Sequence, residues 1–96
     1  MDELKSLREE IDGIDKELAS IFERRMEVSR RIGDVKRLLG SDVRDEEREK
    51  EVLESRKSYL RDAALAPYWE KEMKTLMELS KEYQWTLRED SPYRKK

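Results

Sequence analysis

Residues 4–39 read LKSLREEIDGIDKELASIFERRMEVSRRIGDVKRLL, with aliphatic side chains at Leu4, Leu7, Ile11, Ile14, Leu18, Ile21, Val28, Ile32, Val35 and Leu39. The steps alternate three and four, and Arg25 fills the position between Ile21 and Val28 where another aliphatic residue is due. That alternation marks one long helix with a narrow apolar stripe. Arg25 is the exception that matters. A guanidinium facing a core loses several kcal/mol of hydration if nothing pairs with it, a large part of what holds a small domain together. The pattern therefore predicts an anionic partner for Arg25.

The chain has 96 residues, the length of one domain. Charged residues make up 48% and hydrophobic ones 35%, a balance that taken alone leans toward disorder. The periodicity overrules it, because Glu, Lys and Arg are good helix formers on wet helix faces. A net charge of −2 with both signs interspersed argues against nucleic acid or membrane binding through bulk charge, and Arg94-Lys95-Lys96 reads as a solvated tail. With no cysteine and no histidine, disulfides, thiol chemistry, the usual zinc sites and His-based acid–base catalysis are excluded. Met1-Asp2-Glu3-Leu4-Lys5 lacks the basic start and apolar run of a signal peptide, and no stretch approaches a membrane span. The expected location is the cytoplasm.

The first helix is expected from about Glu3 to Leu39, with Asp2 as N-cap and Gly40 as the stop. Gly13 and Gly33 lie inside it at roughly 1 kcal/mol each relative to Ala, as tolerated costs or as places of close backbone approach. After a short loop from Gly40 to Arg44, a second helix starts near Asp45, whose carboxylate can cap it while Glu46 and Glu47 complement the helix dipole. Its apolar side carries Val52, Leu53, Tyr59 and Leu60, and it fades between Arg61 and Ala66. Pro67 suits the first turn of a third helix holding Trp69, Met73, Leu76, Met77, Ser80, Tyr83, Gln84 and Leu87. Residues 1–90 are expected to form the domain; Asp90-Ser91-Pro92 ends it and 91–96 fray.

A helix over these residues would be roughly 55 Å long, whereas a compact domain of this size has a radius of gyration of only about 13 Å. Two shorter helices cannot cover it. Its stripe needs a second copy, which predicts a homodimer with the first helices packed lengthwise.

Polar residues recur on the inner faces. Lys36 follows Arg25 by eleven residues, so the two point the same way about 16 Å apart. Asp45, Arg48 and Glu49 share a face of the second helix, and Ser80 and Gln84 form an i, i+4 pair on the third. Each has a plain structural reading: Arg48 with Asp45 or Glu49 as an exposed pair, Ser80 and Gln84 as the edge of a buried stripe. Together they describe a cation-rich cluster with one or two carboxylates and a neutral amide, suited to a small polyanion that bears a hydroxyl.

Leu7-Arg8-Glu9-Glu10-Ile11-Asp12, Ile14-Asp15, Glu23-Arg24-Arg25-Met26, Ile32-Gly33, Lys36, Val43-Arg44-Asp45-Glu46-Glu47-Arg48-Glu49 and the segment from Ser80 to Gln84 resemble the all-helical chorismate mutases of the AroQ type. The resemblance runs from about Leu4 to Trp85. It implies an all-α fold of three helices per protomer, an intertwined homodimer with two equivalent sites, and conversion of chorismate to prephenate without a cofactor or metal. By the same resemblance Arg8 and Arg25 are carboxylate clamps, and Lys36 and Gln84 bind the ether oxygen. Glu49 and the helix start at Asp45 bind the ring hydroxyl, Ser80 meets the ring carboxylate, and Arg48 supports Asp45. Arg8 precedes Arg25 by 17 residues, roughly 25 Å of helix, so Arg8 must come from the partner chain.

Two other readings compete. An isochorismate-pyruvate lyase shares this fold and similar cations, but such lyases lack the acidic residue after the second-helix arginine, which here is Glu49. A non-catalytic helical interaction module has no reason to bury Arg25 facing Lys36.

Overall fold

The computed structural model describes residues 2–88, so the expected ending at Asp90-Ser91-Pro92 and the tail 91–96 lie outside the described residues. Three α-helices follow in order: α1 Asp2–Leu39, α2 Glu46–Arg56 and α3 Ala66–Leu87. Short 3-10 turns at Lys57–Tyr59 and Ala63–Leu65 join the last two, and no strand occurs among the described residues. The all-α architecture is the one the periodicity predicts. One boundary differs slightly: α1 already includes Asp2, which places that carboxylate in the first turn against the positive helix end rather than at the cap.

The turn after α1 is closed by backbone. Gly40 adopts φ 69°, left-handed territory that a side chain would resist. Ser41 N–H donates to the Lys36 carbonyl at 2.8 Å and Gly40 N–H to the Arg37 carbonyl at 3.2 Å, satisfying carbonyls the helix end would leave open. Asp45 then caps α2 as expected, its carboxylate accepting from the Arg48 N–H at 3.0 Å.

The second helix stops at Arg56, well short of the expected fade between Arg61 and Ala66. Leu60 is extended (φ −80°, ψ 138°), and the Trp69 indole N–H donates to the Arg56 carbonyl at 3.1 Å, taking up an acceptor at the helix end. Asp62 starts the next turn by accepting from the Ala64 N–H at 3.0 Å. Tyr59, expected on the apolar side, is exposed, with the Arg56 guanidinium over its ring. Pro67 sits in the first turn of α3, where its missing N–H costs nothing.

The C-terminal half of α1 packs against α3 in the same direction, Arg25 meeting Leu76 and Ser80, and Gly33 meeting Gln84. Helix α2 runs opposite to α3, with Glu49 reaching Lys81 and the Arg56 carbonyl meeting Trp69. The described residues extend 55 × 33 × 18 Å with a radius of gyration of 16.9 Å, against about 13 Å for a compact domain of this size. Val43, Val52 and Met73 are the buried apolar side chains among them, each contributing about 1.5–3 kcal/mol. The long stripe is open in the protomer: Leu4, Leu7, Ile11, Ile14, Leu18, Ile21, Val28, Ile32 and Val35 are 47–58% exposed. A contiguous apolar face of that length is what an interaction surface looks like.

Candidate active site

A cleft of about 340 Å³ opens where the three helices meet. Arg25 and Lys36 of α1, Asp45, Arg48 and Glu49 at the start of α2, and Ser80 and Gln84 of α3 all line it. Arg8 does not; it is exposed on α1, roughly 25 Å of helix away from Arg25.

Arg25 is half-buried and donates from Nη1 to Ser80 Oγ at 2.8 Å and to the Leu76 carbonyl at 3.4 Å. Both acceptors are neutral, and no carboxylate pairs with Arg25 among the described residues. Burial, and then the nearby charge of Arg56, hold its pKa below the usual arginine value. The anion the sequence demands is not within this protomer's described residues.

Lys36 Nζ donates to the Val43 carbonyl at 2.8 Å, tying the α1–α2 turn to the cleft. An ammonium has three donors, so this contact leaves capacity for a ligand. Gln84 is buried, and its Nε2 donates to Ser29 Oγ at 3.0 Å while Ser29 Oγ reaches the Ser80 carbonyl at 3.4 Å. Its Oε1 is buried with no hydrogen-bond partner among the described residues, a deficit worth about 1–3 kcal/mol. Gly33 explains how Gln84 fits: a Cβ there would lie 2.9 Å from Gln84 Cγ, so this glycine marks a close approach. Gly13 has nothing within 4 Å of such a Cβ in the protomer.

Glu49 is held by Lys81, whose Nζ lies 2.9 Å from Glu49 Oε2 and 2.8 Å from Glu78 Oε1. Burial opposes the Lys81 charge, but the hydrogen bonds to Glu78 and Glu49 and the negative charges of both together outweigh it and raise its pKa. The Glu78 pKa is lowered by its bond to Lys81. The Arg48 backbone meets the Asp45 carboxylate, whereas its guanidinium turns outward to Glu51 Oε1 at 2.5 Å.

Sequence reasoning missed Ser29, Arg56 and Lys81, which line the same cleft. The signal was present for Lys81, which follows Met73 and Met77 at steps of four and so interrupts the α3 stripe as Arg25 interrupts that of α1. Ser29 is one turn beyond Arg25, and Arg56 is one turn beyond Val52. Chemically the cleft offers several cations, one restrained carboxylate and a buried amide, a set suited to a small anion with a hydroxyl and an ether or carbonyl oxygen. Among the described residues no cluster of three or more His, Cys, Asp or Glu side chains is placed to hold a metal ion, and no helix is long and apolar enough to cross a membrane.

The family model described as chorismate mutase type II matches residues 7–85. The chain belongs to that family. The match takes in every residue that lines the cleft, and Arg8 as well. The bifunctional chorismate mutase/prephenate dehydratase of Aquifex aeolicus is 41% identical over 54 residues, covering 56% of this chain and 15% of that relative. The T-protein of Haemophilus influenzae is 40% identical over 57 residues, covering 59% of this chain and 15% of its own length. The chain thus aligns with only a small part of the curated relatives it matches, and no solved structure matches it significantly. As a chorismate mutase type II family member, it lines its polar cleft from three helices and from the α1–α2 connection that carries Val43 and Asp45.

Proposed function

We propose that the chain is a chorismate mutase, rearranging chorismate to prephenate on the route to phenylalanine and tyrosine. The observation that carries this reading is Arg25, a half-buried cation with only neutral acceptors, in a cleft shared with Lys36, Glu49 and Gln84. A chorismate carboxylate supplies the missing anion, and guanidinium geometry suits it better than an ammonium would.

The reaction is pericyclic: the ether C–O bond breaks as a C–C bond forms within one molecule, so it requires no nucleophile or proton shuttle. The site's work is to hold the chair-like conformer and to stabilise negative charge growing on the ether oxygen. Lys36 has free donors for that oxygen. Gln84, which lines the same cleft, is the second donor to that oxygen in this reading. Glu49, restrained by Lys81, accepts from the ring hydroxyl beside Asp45. Ser80 meets the ring carboxylate, and Arg48 supports that side through the Asp45 cap.

The working form in this reading is a homodimer. The open stripe of α1 packs on the same stripe of a second copy, which also delivers Arg8 to the site as the second carboxylate clamp. Support comes from the 47–58% exposure of the stripe and from the position of Arg8 outside its own cleft.

Incubating the purified protein separately with chorismate and with isochorismate, and identifying the products, tests the reaction. Prephenate from chorismate is expected. Salicylate and pyruvate from isochorismate would reassign the chain to the lyases, and inertness toward both would remove the enzyme reading.

A further inference from the structure

Arg56 stands in the cleft without a role in the reaction described above. It lies four residues beyond Val52 and seven beyond Glu49, so it continues the α2 face that carries the site. It is half-buried and lines the same cleft as Arg25. Its Nη1 donates to the adjacent Ser55 Oγ at 2.9 Å, and its guanidinium carbon sits 5.5 Å from the centre of the Tyr59 ring. No carboxylate pairs with it among the described residues, although the sequence holds 24 acidic residues.

Arg25 and Arg56 line one cleft, and like charges repel where solvent screens them incompletely; the Arg25 pKa is lowered first by burial and then by the charge of Arg56. An uncompensated pair of this kind costs stability, and an anion seated between the two turns repulsion into two attractions. The Tyr59 ring beneath the Arg56 guanidinium restrains a long side chain in advance, which reduces the entropy lost when a ligand is gripped.

We propose that Arg56 is a further substrate-binding residue, its guanidinium and that of Arg25 holding one carboxylate of the ligand between them. This rests on the cleft being the chorismate site.

The test compares Arg56→Gln and Arg56→Lys with wild type, using Lys57→Gln as a neighbouring charge control and circular dichroism to verify folding. With chorismate, Arg56→Gln should raise KM about ten- to hundredfold, the loss of a charge-assisted bond, while kcat changes less than about threefold. The dependence of KM on ionic strength should also flatten. Arg56→Lys keeps the charge but loses the fork, so its KM should rise about three- to tenfold; it decides the matter if Arg56→Gln does not fold. A wild-type KM in a folded variant overturns the proposal. A second arm titrates the proteins calorimetrically with malate, a dicarboxylate the proposed reaction cannot turn over, at low ionic strength. If wild type binds malate without converting chorismate, the mutase reading fails, and a roughly fivefold or greater loss of malate affinity in Arg56→Gln still supports the anion grip. Equal affinity there overturns it, and a wild type that binds neither compound overturns both.

Discussion

Arg25 Nη1 donates to Ser80 Oγ over 2.8 Å, a cation meeting a neutral hydroxyl in a half-buried cleft. The bond satisfies one donor and neutralises nothing. Burial and the neighbouring charge of Arg56 both work against the Arg25 charge, so the free protein carries a strain that an anionic ligand relieves. Arg25→Met should therefore abolish most activity, by about 100-fold or more in kcat/KM, while leaving the melting temperature within about 4 °C of wild type or above it. Thermal melts run beside chorismate kinetics separate the two effects. A large loss of stability would mean that Arg25 holds the fold rather than the substrate.

Lys36 is placed to meet the oxygen on which charge develops, one of its donors being occupied by Val43 at 2.8 Å. Lys36→Ala should lower kcat by roughly 100- to 1000-fold. Loss of the Val43 contact alone would only loosen the α1–α2 turn, so a variant with unchanged turnover and a lower melting temperature would assign Lys36 to structure.

Gly33 tests the position of Gln84. Alanine favours helix by about 1 kcal/mol, but its Cβ would press within 2.9 Å of Gln84 Cγ. Gly33→Ala is expected to keep full helicity by circular dichroism and to lose about 10- to 100-fold in kcat through displacement of the amide. Gly13→Ala meets no protein atom within 4 Å in the protomer, so reduced activity there would point to contact across a dimer.

The Lys81 cluster sets a pH dependence whose sign can be worked out. Lys81 has a raised pKa, so its contribution is complete below the ordinary lysine value and is lost as pH rises through the higher folded value. Glu78 has a lowered pKa, so its part is present above the ordinary glutamate value and fades as pH falls through the lower folded one. Urea denaturation should show stability flat near neutrality and declining at both extremes. Lys81→Met should remove the alkaline decline and cost about 1.5–3 kcal/mol at neutral pH, because Glu49 is left without its charged partner.

Much of this was legible in the sequence because it depends on local chemistry. The three–four spacing up to Leu39 yields α1, Gly40 its left-handed stop, Asp45 the cap of α2 and Pro67 the start of α3. Those elements carry seven of the expected site residues into one cleft, and Arg25 was visible as a break in a pattern. The end of α2 at Arg56 was not legible, because no Gly or Pro marks it and a tertiary bond from Trp69 helps define it. Lys81 and Arg56 were overlooked because charged residues at helical spacing normally face water. Their burial depends on which face of α3 meets α2, a fact of packing that one chain's periodicity leaves open. The Ser29–Gln84 bond joins residues 55 positions apart, beyond the reach of any local pattern.

The central claim is that each cleft is half of a chorismate-rearranging site, completed by Arg8 of a second copy. Arg8→Ala and Arg25→Ala proteins, each nearly inactive, can be mixed, unfolded and refolded together, and prephenate formation measured against each parent refolded alone. One of the two sites in a mixed dimer keeps both arginines, so random reassortment should restore roughly a quarter of wild-type activity per chain. No recovery in refolded mixed dimers, or an Arg8→Ala parent as active as wild type, would contradict it.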